Sequence, residues 1–164
     1  MKSFSRLVLF LTGFFFSLAG CKKDTDFTSY INGTLDGVPF SCTTNIRTNG
    51  SNEGAPPQVF VIGDWSVYSI HLIINGEGSN VTTGQHVLQV DKHSSITLFE
   101  GQTGYYAGSD DPYNPQHLLG SGKITLTEFS KNYIRGSYEF VSEPRPGTGI
   151  IKTISGGGFY IRRG

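Results

Sequence analysis

The sequence predicts an all-β chain, folded as a single antiparallel β-sandwich or flattened barrel of about nine or ten strands. Three observations carry this. Short runs rich in Thr, Ile, Val and aromatic residues are divided by clusters of Gly, Asn, Asp and Pro, the pattern of strands separated by turns. Gly makes up 22 of the 164 residues, Ala occurs three times and the one Met is the initiator, so good helix formers are scarce. No run of ten or more residues repeats its apolar positions at helical spacing. The length allows one hydrophobic core and no second domain, and a core of this size folds without needing disulfides or metal.

Taken from the start, Lys2 and Arg6 precede an apolar run over 7–16, the layout of a secretory signal and too short to span a bilayer. Leu18-Ala19-Gly20-Cys21 follows and resembles a bacterial lipoprotein lipobox. The resemblance implies that 1–20 is removed, that Cys21 is lipidated and becomes the first mature residue, and that the chain is held by more than one acyl chain, as stable anchoring requires. Lys22-Lys23-Asp24-Thr25-Asp26 makes 21–26 a lipidated cysteine and polar spacer ahead of a β domain over 27–164. The Lys/Asp-rich spacer is similar to signals that carry some lipoproteins to the cell surface. The expected partner is the membrane, through the lipid on Cys21, and the expected location is the cell envelope at the outer membrane, periplasmic or surface-exposed. Loss of Lys2 and Arg6 leaves 11 basic against 13 acidic side chains with no basic run, which excludes a nucleic-acid binder.

In the β domain, 27–35 and 38–46 flank Asp36-Gly37, a pair that suits the positive backbone angles of a two-residue hairpin turn. The polar stretch 47–57 reads as a loop closed by two prolines, and extended structure resumes at 58–63. Over 66–74, Tyr68, Ile70, Leu72 and Ile74 share one face, with Val67, Ser69, His71 and Ile73 on the other. Stretches 86–91 and 95–100 read as a pair around 92–94, 105–108 as a short strand, and 109–119 as an irregular loop. A second hairpin joins 123–129 to 133–141, with Ile134, Gly136, Tyr138 and Phe140 facing inward; 150–154 and 159–162 close the chain around a Ser-Gly-Gly-Gly turn. The expected core includes Ile70, Leu72, Ile124, Leu126, Ile134, Tyr138, Phe140 and Phe159.

The opening YINGTLDGVPF (30–40), the later GKITLT (122–127) with IRGSYEF (134–140), and the closing Gly157-Gly158-Phe159 resemble a family of small bacterial lipoproteins of unknown function. That resemblance implies a similar length and an all-β fold, and brings no binding or catalytic residues with it. Cys42 stands where the family pattern leads one to expect Ala.

Chemistry-bearing motifs are few. Gly120-Ser121-Gly122-Lys123 is no phosphate loop, because His117 replaces the first Gly and Ile124 the required Ser or Thr. No G-x-S-x-G elbow and no H-E-x-x-H occurs, and His71, His86, His93 and His117 are scattered, so no catalytic triad, metal site or cofactor is expected. With Cys21 lipidated, Cys42 has no disulfide partner and reads as a small buried hydrophobe. Asp110 and Asp111 lie in SDDPYN, which is turn chemistry more than a calcium loop. The one suggestive cluster is aromatic: Tyr105, Tyr106 and Tyr113, with Asp110, Asp111 and Asn114 beside them and the sole tryptophan, Trp65, elsewhere at a turn. Rings beside carboxylates and amides on a long loop suit stacking on a sugar or a peptide side chain. Tyr105 and Tyr106 are expected to point to opposite faces. The functional expectation is a non-catalytic, lipid-anchored binding or interaction domain with a glycan or protein partner; the alternatives are a glycan-acting hydrolase and an inhibitor or immunity-type protein.

Overall fold

The computed structural model describes residues 28–51, 58–76, 81–88, 94–109 and 118–163. The signal, Cys21 and the spacer lie outside them, as do Asp110, Asp111, Tyr113 and Asn114. Among the described residues there is no helix, and twelve strands run in order: β1 (Tyr30–Leu35), β2 (Val38–Cys42), β3 (Ile46–Ser51), β4 (Gln58–Trp65), β5 (Tyr68–Asn75), β6 (Gly84–Val87), β7 (Ser95–Glu100), β8 (Thr103–Ser109), β9 (Leu118–Leu119), β10 (Ser121–Phe129), β11 (Tyr133–Val141) and β12 (Thr153–Arg162). They form two antiparallel six-stranded sheets, ordered β2-β1-β12-β11-β10-β6 and β3-β4-β5-β7-β8-β9.

Alternation along the strands builds the core. Ile70, Leu72 and Ile74 of β5 and Val59 and Val61 of β4 turn inward from the second sheet, to meet Ile124, Leu126, Ile134, Phe140 and Phe159 of the first. All eight core positions expected from the sequence are buried. Each such side chain contributes roughly 1.5–3 kcal/mol on leaving water. The buried apolar side chains among the described residues run from Ile31 to Ile161.

The Asp36-Gly37 hairpin is as expected, with φ values of 48° and 85° and Leu35 paired to Val38. Five other local expectations are corrected. The stretch 38–46 is two strands in different sheets: β2 ends at Cys42, Asn45 turns the chain at φ 56°, and β3 begins at Ile46. Of the polar run 47–57, residues 47–51 are strand rather than loop, since β3 pairs with β4 from Ile46↔Gly63 to Ser51↔Gln58, and 52–57 lie outside the described residues. As the edge of its sheet β3 needs only one ladder, and Arg47 stands out in water, so its sequence shows little apolar alternation.

The described part of 86–91, residues 86–88, does not pair with 95–100. β6 lies against β10 in the first sheet, while β7 sits between β5 and β8 in the second. The hairpin that does form joins β7 to β8 through Gly101 and Gln102, so 105–108 belongs to the longer strand β8. Finally, 150–154 and 159–162 are not a hairpin. Thr153–Arg162 is one continuous strand, and its glycines form a bulge, with Tyr138↔Gly157 but Phe140↔Ile154 on one side and Asn32↔Gly158 but Thr34↔Ser155 on the other. Gly156 takes φ 59° to accommodate the extra residue, a conformation shared by turns and bulges alike.

Candidate functional site

The β1–β2 turn is held to the start of β12. Asp36 donates its backbone N–H to the Thr153 carbonyl (2.9 Å), and its carboxylate Oδ1 accepts from the Thr153 N–H (2.8 Å). With the turn placed, β2 presents Val38, Phe40 and Cys42 toward the other sheet. β2 is the edge strand of its sheet, so Val38 has Leu35 of β1 on one side only and is 67% exposed.

Trp65 and Tyr68 approach from the second sheet as the cross-strand pair flanking the tight Ser66-Val67 turn. Phe40 and Trp65 lie face to face with centroids 4.2 Å apart and planes at 7°; Tyr68 continues the stack at 5.4 Å and 26°. Together with Leu35, Val38 and Pro39 these rings line a largely apolar groove of about 480 Å³.

The inner margin of the groove is an ion cluster on Lys152. Its Nζ lies 3.3 Å from Asp36 Oδ2 and 3.4 Å from Glu100 Oε2, and stands 5.8 Å and 5.6 Å from the ring centroids of Tyr68 and Tyr105. Tyr68 donates its hydroxyl to Glu100 Oε1 at 3.0 Å, and Tyr105 donates to Oε2 at 3.5 Å. Burial alone would lower the Lys152 pKa, but its bond to Asp36 and the charge of Glu100 outweigh that and hold it above the ordinary lysine value. The hydrogen bond to Glu100 leads the causes that raise Tyr68. One ammonium thus joins the β1–β2 turn of one sheet to the end of β7 in the other and closes this end of the sandwich.

The structure separates the aromatic residues singled out in the sequence. Trp65 lines the groove; Tyr105 is buried behind the ion cluster; Tyr106, 39% exposed, lies on the opposite face of the sheet against the edge of Phe99. Tyr105 and Tyr106 do point to opposite faces. Sequence reasoning did not bring Phe40, Tyr68, Asp36, Glu100 and Lys152 together as one site, because they are dispersed over more than a hundred residues; Glu100 reads there only as a carboxylate that nothing pairs. The only local signal was Trp65 with Tyr68, an aromatic pair across a two-residue turn.

Two other clusters could be mistaken for catalytic groups. On the outer face of the second sheet Arg47 pairs with Asp64 Oδ2 (2.8 Å), Ser69 donates to Asp64 Oδ1 (2.5 Å), and His71 Nε2 lies 3.1 Å from Ser69 Oγ. Here the serine sits between the acid and the imidazole, whereas a nucleophilic triad needs the imidazole in the middle. Burial lowers the His71 pKa and so favours the neutral ring; with the Ser69 hydroxyl proton given to Asp64, Nε2 can bond to that oxygen only in the tautomer that carries its proton. Cys42 is buried and unpaired, with Sγ 2.9 Å from the Thr44 carbonyl and 3.1 Å from that of Asp64; burial raises its pKa, the reverse of an activated thiol. No group of three His, Cys, Asp or Glu among the described residues is placed to hold a metal.

No protein-family model matches this chain. No curated protein and no solved structure matches it either.

Proposed function

We propose that this protein is a lipid-anchored, non-catalytic binding domain of the cell envelope, tethered at the outer membrane through Cys21, and that the Phe40–Trp65–Tyr68 groove is its ligand site. The tether rests on Leu18-Ala19-Gly20-Cys21 after a charged start and an apolar run. The groove carries the binding reading, because it joins an exposed apolar wall at Val38 to the sole tryptophan of the chain.

The same geometry favours a protein partner over a glycan. Sugar recognition by aromatics uses a free ring face, and here Phe40 and Trp65 cover one another while Lys152 stands over Tyr68. Ring edges and aliphatic walls remain, which suit an apolar peptide side chain. Pro39 lies in the edge strand and lacks an N–H, so the partner is gripped through side chains rather than added as a further strand. Asp36 and Glu100, the carboxylates beside the groove, share Lys152, which makes them a structural clamp rather than a hydrolytic acid and base.

Peptide and glycan arrays probed with residues 22–164 test the site. Capture of peptides bearing Leu or Phe, weakened by Val38→Asp and accompanied by a change in Trp65 emission, is expected. Hits confined to glycans, or hits indifferent to Val38→Asp and Tyr68→Ala, would place recognition elsewhere. The tether is tested separately by the mass of the native protein, where an unmodified Cys21 would refute it.

A further inference from the structure

The end of the sandwich opposite the groove is basic and tyrosine-rich. It gathers the start of β1, the β10–β11 turn and the end of β12. Lys131, Arg135 and Arg162 are exposed there and Arg163 half-exposed. The acidic side chain nearby among the described residues is Glu128, which accepts from the Ser130 hydroxyl at 3.3 Å. Among the described residues Arg47, Lys123 and Lys152 each pair with a carboxylate, whereas Lys131, Arg135 and Arg162 form no ion pair there; nor does Arg145, which lies in the β11–β12 connection.

Beside these charges Tyr30, Tyr160 and Tyr133 form a ladder across β1, β12 and β11 on the outer face, with centroids 6.1 Å and 5.5 Å apart. Arg163 is held in place by Phe129, 5.2 Å beneath its guanidinium, and by the Ser130 carbonyl at 3.1 Å. Half-buried tyrosines set among Lys and Arg are the composition of a surface that sits at a lipid headgroup layer.

The position of the chain start points the same way. Ser29 accepts the backbone N–H of Arg162 through its hydroxyl at 3.0 Å, so the β domain begins on this edge. Cys21 lies eight residues earlier, at most about 28 Å away when fully extended. The groove lies at the far end of β1, about 17 Å further along a six-residue strand.

We propose that the Lys131, Arg135, Arg162, Arg163 and tyrosine end docks on an anionic lipid surface, which directs the groove away from the membrane. The proposal rests on the lipid-anchored reading above. It makes the anchor and the protein surface two membrane signals acting together, with the basic side chains meeting phosphate groups and the tyrosines seated at the headgroup level.

The test is flotation of residues 22–164, which lack Cys21, with vesicles of phosphatidylcholine alone or containing roughly one-third phosphatidylglycerol. The expected result is partition onto the anionic vesicles only, lost at roughly 0.5 M salt where the Debye length falls to a few ångströms. Arg135→Gln with Arg162→Gln should weaken partition roughly thirty-fold, from about five-fold per basic side chain near such a surface. Lys123→Gln with Arg145→Gln removes the same charge elsewhere and should change it little. No partition onto anionic vesicles, equal partition onto neutral ones, or the same loss from both pairs of substitutions would overturn the proposal. None of these outcomes depends on acylation, which the mass of Cys21 in the native protein decides.

Discussion

Tyr138 is a polar group placed at the centre of the core, and alkaline pH should expose its cost. The side chain is 1% exposed, and its hydroxyl donates to the Asn32 carbonyl at 3.0 Å. Burial pushes its pKa far above the ordinary phenol value, with the neighbouring Cys42 adding in the same direction. The folded state therefore keeps the proton through a range in which the unfolded chain releases it near pH 10. A raised folded pKa means that the stability is fully present below pH 10 and is lost as pH rises above it. At about 1.36 kcal/mol per pH unit for one proton, Tyr138 alone removes about 2.7 kcal/mol by pH 12.

Tyr138→Phe deletes that linkage. At neutral pH the variant should be less stable by about 0.5–1.5 kcal/mol, the net worth of the lost hydrogen bond. Because only the wild type pays the alkaline penalty, the two stabilities should cross between about pH 10 and 11, with the variant the more stable beyond that. Urea unfolding followed by Trp65 fluorescence at several pH values measures the difference. Lys152, whose pKa is also raised, loses its contribution in the same window but is present in both proteins and cancels. A variant that loses stability with pH as steeply as the wild type would refute the reasoning, because Tyr138 would then ionise inside the fold without cost.

Phe140→Ala should cost about 3–5 kcal/mol in the same urea assay, since the ring is fully buried between the sheets and leaves a cavity; a loss under about 1 kcal/mol would mean that the site collapses freely. Lys152→Met should cost about 1–2 kcal/mol near pH 7, less than a fully buried ion pair because the Asp36 and Glu100 side chains are 41% and 37% exposed and water screens them. Its cost should shrink as salt is raised to roughly 1 M, where the Debye length falls to about 3 Å, and a cost independent of salt would show that packing of the lysine stem, rather than charge, holds this end closed.

Local pattern determined the class of this fold. Period-two alternation in β5, β10 and β11 identified their inward faces, because a side chain on a pleated strand can point only to one side or the other, and a sheet with one wet face must sort apolar from polar at every second residue. Asp36-Gly37 marked its turn because few residues other than Gly, Asn and Asp tolerate positive φ. The pairings that sequence distance conceals were decided by tertiary structure. β6 and β7 lie close in the chain yet belong to different sheets, since a connection of a few residues is long enough to cross between layers and nothing in its composition records that it does. β3 joined a sheet as an edge strand with scarcely an apolar signal, and the glycines after Ile154 made a bulge where a turn was equally permitted, because an extra residue is absorbed only when strands on both sides demand it. The groove is tertiary for the same reason: Phe40, Trp65, Glu100 and Lys152 meet through the closure of the two sheets, each from a separate strand or strand end whose own pattern reports only which face it turns to the core.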